Sequence, residues 1–365
     1  MIRLATFNVE NLFDRPLILN LQDQQRSSDL MAKVVQLQKL IALPTYSAAD
    51  KSLIFQLFGE LDQYIDIQED VGKLFVRSGP SPTRVSASGA GSWYGGIIFK
   101  RARFADQQRT NTATMIKKIN ADIQCLIEVE GNQALDDFNS TLLGRRFGQH
   151  LSIDSVNDPR GIDIGLYTKK PKLGRIRTNM FDKKGRKTVW SRDCLEVECV
   201  LESGVSLHIL VNHFKSKFGG DTPESQARRL GQSQRLLEIV GERYDPATDL
   251  YAIVGDLNDT PDSPAIAPLM QTNLFSDVME VVGQPADDRW TYYYGGNPVA
   301  KRRTQIDYIF VSPKLAPLVR GVQILRRGMT AVAEGKIPGV TAYQDFASFR
   351  TAASDHAAVT VDLDL

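Results

Sequence analysis

The stretch Leu250-Tyr251-Ala252-Ile253-Val254-Gly255-Asp256-Leu257-Asn258-Asp259 decides how this sequence is read. Its apolar run, 250–255, breaks through a glycine into Asp256-Leu257-Asn258 and then Thr260-Pro261-Asp262-Ser263-Pro264. A short apolar run bounded by turn residues reads as a buried strand. Side chains alternate along a strand, so Asp256 and Asn258 project the same way from its end. Taken alone, the pair also reads as a turn in which Asp and Asn cap their own backbone. Its company changes that reading. Asn8 closes the opening strand, Glu128 closes the apolar run 123–129, and Ser354-Asp355-His356 precedes the last strand, 357–363. Strand ends are places where side chains from distant parts of a chain converge.

Further strands are predicted at 162–168, 194–201, 205–212 and 305–311. Helical spacing predicts helices over 29–43, 48–70 and 111–120. Another runs over 223–242 and is opened by Thr222-Pro223-Glu224. Residues 78–96, rich in Ser, Gly and Pro, read as loop. Many short strands with few helices between them predict two packed sheets flanked by helices, not a doubly wound parallel sheet. The 365 residues suit two domains or one elaborated domain.

Hydrophobic residues are 42% and charged residues 24%, which argues against global disorder. The three cysteines, Cys125, Cys194 and Cys199, make neither a disulfide framework nor a zinc site and read as buried thiols. No apolar run reaches the ~18 residues of a membrane span. The N-terminus lacks the basic, apolar and small-residue regions of a signal peptide, so a cytoplasmic location is expected unless a leader has been removed. The net charge is only +1, but it is unevenly spread. Residues 29–70 carry net −4, residues 73–109 net +6, and residues 169–187 net +8. Lys301-Arg302-Arg303 adds a further cluster. Such runs are often solvated faces; several in one near-neutral chain point to a polyanion-binding face.

The strand-end residues are hard oxygen ligands and one imidazole, a set that suits Mg²⁺. Mn²⁺ accepts similar ligands. His208 and His213 lie an odd number of residues apart on one strand and should face opposite ways. His213, followed by Phe-Lys-Ser-Lys, is the one expected at the site.

The order of these blocks resembles the endonuclease/exonuclease/phosphatase (DNase I-like) superfamily. Phe7-Asn8-Val9 is similar to its opening strand, and Leu126-Ile127-Glu128-Val129-Glu130 to its Gln-Glu motif, with Ile127 where Gln is usual. Asn212-His213-Phe214, Gly255-Asp256-Leu257-Asn258, Ile306-Asp307-Tyr308-Ile309 and Ser354-Asp355-His356 follow in family order. The blocks Arg160-Gly161-Ile162-Asp163 and Asn212 to Lys217 resemble its nuclease branch. Only 14–110 has no recognisable counterpart. The resemblance implies a four-layered α/β sandwich of two mainly antiparallel sheets flanked by helices. Residues 1–365 would then be a single catalytic domain, with 14–110 a helical and loop insertion after the first strand.

The resemblance also implies roles. His356 would be the general base, oriented by Asp307, and His213 would lie opposite it. Asp256 and Asn258 would position water and phosphate. Glu128, with Asn8 and Asp355, would hold Mg²⁺ or Mn²⁺, and Glu130 is an alternative ligand. Arg160 and Asn212 would contact substrate phosphate. The expected activity is that of a metal-dependent nuclease, on DNA ahead of RNA. The alternatives are a phosphatase or phosphodiesterase for a small or lipid phosphoester, of inositol phosphate or sphingomyelin type, and a catalytically inert binding module.

Overall fold

The computed structural model describes residues 1–12, 16–19, 24–100, 107–158, 161–217, 221–295 and 302–365. The chain forms two compact units, Met1–Phe13 with Phe104–Leu365, and Asp14–Arg103. The first unit opens with β1 (Ile2–Leu12). The second supplies α1 (Gln24–Ile41), α2 (Ala48–Leu61), β2 (Ile65–Val71), β3 (Phe75–Ser78), β4 (Ser81–Val85) and β5 (Tyr94–Phe99). The first resumes with α3 (Gln107–Ile119), β6 (Ile123–Val129), α4 (Asn132–Thr141), β7 (Gln149–Ser152), β8 (Asp163–Thr168) and β9 (Lys172–Arg177). There follow β10 (Lys183–Lys184), β11 (Lys187–Thr188), β12 (Cys194–Val200), β13 (Ser206–His213), α5 (Pro223–Arg243) and β14 (Tyr251–Asp256). The remainder is α6 (Ala267–Met270), β15 (Ser276–Asp277), α7 (Val278–Val281), β16 (Tyr292–Tyr293), β17 (Arg303–Thr304), β18 (Asp307–Val311), β19 (Val319–Leu325), α8 (Thr330–Ala333) and β20 (Ala358–Leu363).

Two six-stranded sheets organise the first unit, in the orders β19-β20-β1-β6-β8-β7 and β15-β18-β14-β13-β12-β9. Each contains one parallel pair, β1 with β6 and β13 with β14, and is otherwise antiparallel. Period-two alternation sorts their side chains between layers. Leu4, Ile123, Cys125 and Ile127 of one sheet meet Leu207, Ile209, Val211, Ala252 and Val254 of the other in a shared core. Phe7, Val9 and Leu126 face the opposite way, onto Met115 and Ile116 of α3 and Leu135 and Phe138 of α4. On the far sheet Leu210, Ile253 and Phe310 face Leu236, Ile239 and Val240 of α5. The layers are thus helices, sheet, sheet, helices. Truncating one of the buried leucines to Ala would cost about 2–5 kcal/mol. All three cysteines are buried free thiols.

The second unit has its own core, in which Leu37 of α1 and Ile54 and Leu61 of α2 pack with Ile65, Leu74, Phe75 and Trp93. Two readings of this region need correction. The helix expected over 48–70 ends at Leu61, and 65–71 is a strand paired with β5. Ile65 and Ile67 are buried while Asp66 and Gln68 are exposed, so period two overrides the helical pattern there. The supposed loop 78–96 contains β4, the end of a hairpin with β3, and the start of β5. Trp93 is buried and donates its indole N–H to the Tyr46 hydroxyl at 2.9 Å, whereas Tyr94 is exposed. Among the described residues, no helix is long and apolar enough to cross a membrane.

Candidate active site

The parallel pairs lie side by side within their sheets, so the C-terminal ends of β1, β6, β13 and β14 carry Asn8, Glu128, His213 and Asp256 toward one region. Asp307, at the start of β18, pairs in register with Asp256. β20 runs antiparallel to β1, which brings the preceding Ser354-Asp355-His356 to the Asn8 end. Ser354 fixes this junction: its Oγ donates to the Asn8 carbonyl at 2.7 Å and accepts from the His356 amide at 3.0 Å.

Backbone geometry aims the side chains. The register slips between Asn8 and Leu12 on β1 and between Ile127 and Val129 on β6. Within these bulges Glu10 and Glu128 take left-handed φ values of 50° and 70°. Such conformations cost about 1–3 kcal/mol each and cluster at functional sites. Gly255 is required by close approach. Its φ is 138°, and a Cβ there would lie 1.9 Å from the Asn212 carbonyl oxygen. Asp256 Oδ1 accepts from the Asn258 amide at 2.8 Å, and Oδ2 accepts from Asn8 Nδ2 at 3.1 Å. Asn258 Nδ2 donates to the Phe214 carbonyl at 3.3 Å. Asp256 and Asn258 thus make the turn contacts and also line a cavity.

His356 Nδ1 and Asp307 Oδ2 lie 2.9 Å apart, and both residues are buried. Thr291 Oγ1 accepts from the amide of Asp307 at 3.1 Å. His356 Nε2 faces Asp355 Oδ1 at 3.8 Å and Asp256 Oδ2 at 3.9 Å. Burial lowers the basicity of the imidazole, but Asp307, Asp355 and Asp256 together raise it well above the ordinary histidine range. Tyr292 packs its ring 4.8 Å from that of His356.

A cavity of about 470 Å³ opens onto these groups, lined by Glu10, Glu128, Asp256, Asn258, Asp355 and His356, with Tyr292, Tyr294, Ser216 and Lys217. Glu128 lines it and Glu130 does not. Burial, with Asp355 and Glu128 nearby, pushes the Glu10 carboxyl up to about 8. Burial raises Glu128 as well, and lifts Asp256 to about 7. His213 is buried, with Nε2 3.8 Å from Glu128 Oε1 and 3.7 Å from Asp256 Oδ2. Asp256, Asp307 and His356 also present ligand atoms within 4.8 Å of one another. Asp307 and His356 are engaged with each other, and the carboxylates of Glu10, Glu128 and Asp355 line the cavity beside them.

Of the two expected substrate contacts, only Asn212 lies among the described residues, and it does not reach the cavity. Asn212 is fully buried away from the cavity lining, and its Nδ2 donates to the Leu210 carbonyl at 3.0 Å. Arg160 lies outside the described residues. Two residues were missed. Glu10 lines the cavity from within the β1 bulge, where regular alternation does not hold. Lys217 is held at the cavity by Asp259, 2.6 Å away, and Asp259 is held in turn by the fully buried Arg229 of α5 at 2.8 Å. No local signal marks that arrangement. Ile127, where Gln is usual, points into the core between the sheets.

A model of the Endonuclease/Exonuclease/phosphatase family matches residues 88–356. The chain belongs to this family. The match begins after β1, so the placing of Asn8 and Glu10 beside the other residues comes from the fold. Members of the family are generally hydrolases of phosphoesters and commonly use divalent metals. Three solved structures share the fold at TM-score 0.50. One is the endonuclease/exonuclease/phosphatase from Bacteroides vulgatus, 16% identical, which covers 71% of this chain and 90% of its own. Another is the human Nocturnin catalytic domain with a bound sulfate anion, 18% identical, covering 70% and 85%. The third is D. rerio TDP2 complexed with a single-strand DNA product, 15% identical, covering 71% and 92%. At these identities the likeness is one of fold. No curated protein matches the chain.

Proposed function

We propose that this protein is a metal-dependent nuclease that hydrolyses phosphodiester bonds of DNA, ahead of RNA, by in-line attack of water. One observation carries the reading: the His356–Asp307 pair directs Nε2 toward the same cavity that gathers Glu10, Glu128 and Asp355. In phosphoryl transfer, charge builds on the phosphoryl oxygens and the leaving oxygen. In its neutral form His356 takes the proton of the attacking water at Nε2, and the neighbouring carboxylates that raise its basicity shift that form to higher pH; Asp307 fixes the tautomer and stabilises the imidazolium that forms. Asn258 and Asp256 position water and phosphate, and His213 lies across the site from His356. Lys217 supplies a cation for a substrate phosphate.

The donor set fits a hard divalent cation, Mg²⁺ or Mn²⁺: three carboxylates, two of them raised by burial and crowding, plus the amide of Asn8. Glu128, Glu10, Asp355 and Asn8 would hold it. Bound there, it would neutralise charge on the phosphate and the leaving oxygen. In this reading the catalytic domain is the whole chain, 1–365, and the segment after the first strand is an insertion.

The basic run 169–187 supports a polyanionic substrate, as does the DNA product held by the TDP2 relative. A second reading, a small or lipid phosphoester as substrate, is favoured by the cavity, whose volume of about 470 Å³ suits a single headgroup. Incubation with Mg²⁺ and supercoiled plasmid separates them. Nicking that is lost with EDTA and in His356→Ala supports the nuclease. Removing such a base should cost about 10²–10⁴ in rate. Intact plasmid, with turnover of small phosphoesters by the same preparation, would overturn it in favour of the second reading.

A further inference from the structure

The hairpin β10–β11 and the first half of α5 enclose a cleft of about 720 Å³ that the hydrolytic cavity does not use. Val189, Ala227 and Gly231 line it together with Lys184, Arg186, Lys187 and Arg228. We propose that this cleft binds the sugar–phosphate backbone of a single polynucleotide strand. The proposal rests on the nuclease reading and assigns that enzyme a second contact with its polymer.

Charge is the first argument. Lys184 pairs directly with Lys187 across the hairpin, and only Gly185, at φ 65°, and Arg186 separate them. Like charges opposite one another on a ladder destabilise it. Elsewhere along α5 the chain pairs its cations: Arg229 with Asp221 and Asp259, Arg235 with Asp182 and Glu238, Arg243 with Glu196. Among the described residues Lys183, Lys184, Arg186 and Lys187 form no ion pair; Lys184 reaches only the Gln234 side chain, at 3.4 Å. Glu224 is the one carboxylate in the lining. An anionic ligand would relieve this repulsion.

Shape is the second argument. The lining joins aliphatic Val189 and Ala227 to four cations, which suits a chain alternating sugar and base faces with phosphates. A concave cleft of this kind does not suit a flat lipid surface.

Connection to the site is the third. The Val189 amide donates to the Asp182 carbonyl at 2.9 Å and closes the hairpin base. Arg228 donates to the Trp190 carbonyl at 2.8 Å, and Trp190 packs near Phe214 with ring centroids 6.1 Å apart. Arg192 donates to the Phe214 carbonyl at 3.1 Å, next in sequence to His213. The cleft is therefore tied to the strand end that carries the site.

The test uses the full chain carrying Lys184→Ser, Arg186→Ser and Lys187→Ser together. A second variant, Gly231→Phe, puts a bulky ring into the cleft lining without changing charge; nothing lies within 4 Å of a Cβ at that position. Binding of a labelled single-stranded oligonucleotide is followed by fluorescence anisotropy in EDTA across a salt series. Hydrolysis of bis(p-nitrophenyl) phosphate with Mg²⁺ reports on the site. The triple variant should bind about tenfold more weakly, with a log K against log salt slope shallower by about 0.7 per lost contact. Gly231→Phe should weaken binding with little change in slope. Diester hydrolysis should be unchanged in both. Wild-type binding and slope in both variants, in a protein that does cut polynucleotides, would overturn the cleft and leave the nuclease reading standing. A wild-type protein that turns over the small diester yet neither binds nor cuts a strand would overturn both.

Discussion

Gly255→Ala tests whether the close approach of β13 and β14 builds the site. The added Cβ would sit 1.9 Å from the Asn212 carbonyl oxygen. A close carbon–oxygen contact needs roughly 3.3 Å, so the strands must part by about 1.4 Å. The pair cannot part without moving its next rung, because His213 and Asp256 are partners in register immediately beyond Asn212 and Gly255. The φ of 138° adds strain that glycine avoids. Overpacking and strain together should cost about 2–6 kcal/mol. Displacement of catalytic groups by about 1 Å should lower kcat by about 10² even in the fraction that folds. Urea unfolding gives the first quantity. kcat on a small phosphodiester with Mg²⁺, normalised to folded protein, gives the second. A variant with the wild-type midpoint and kcat would refute the claim that this contact positions Asp256 and His213.

Asp307→Asn should keep the packing but remove the charge behind His356, lowering kcat by about 10²–10⁴ with far less effect on KM; steady-state kinetics would show an unchanged kcat if the pair were only structural. Glu10→Gln should raise the Mg²⁺ concentration for half-maximal activity by about tenfold or more, given the ligand role proposed for it. A magnesium titration of the rate reads this directly, and an unchanged midpoint would remove Glu10 from the set. The third prediction concerns pH and stability. Burial raises Asp163 to about 7, against about 3.9 for an unfolded Asp. The folded state therefore binds more protons than the unfolded state between those values. Stability from this group is fully present below about pH 4 and is lost as pH rises through about 7. Asp163→Asn should flatten that fall, read as the difference between wild-type and variant urea midpoints at pH 5 and pH 8. An equal fall in both would reject the assignment.

Much of the first unit was legible because its strands bury both faces. Runs such as 123–129 and 250–255 are mostly apolar and almost wholly buried, and their ends fall at polar residues that must be satisfied where the sheet stops. The second unit was harder. Its segment 65–71 has two buried isoleucines among acidic residues and follows directly on a helix, so local pattern extended the helix; only pairing with β5 decides for strand. The supposed loop near residue 80 contains Pro82 within a short edge strand, where proline is tolerated and composition misleads.

The site divides in the same way. Glu128, Asp256 and His356 are legible because each adjoins the end of an apolar run. Asn8, expected to close the first strand, lies where that strand instead continues through a bulge to Leu12, and Asp307 is named only by the resemblance. Glu10 and Lys217 are not legible, and the reason is physical. Glu10 reaches the cavity through paired bulges on β1 and β6, and the left-handed φ values of Glu10 and Glu128 belong to two strands more than a hundred residues apart. Lys217 is held through Asp259 by Arg229, a fully buried guanidinium on α5 that reads locally as an ordinary helix surface residue. Asn212 errs in the opposite sense. It adjoins His213 in the same motif, but alternation turns it to the other face of β13, where it meets the Leu210 carbonyl. A short motif thus identifies the strand, and strand geometry decides which of its residues reaches the chemistry.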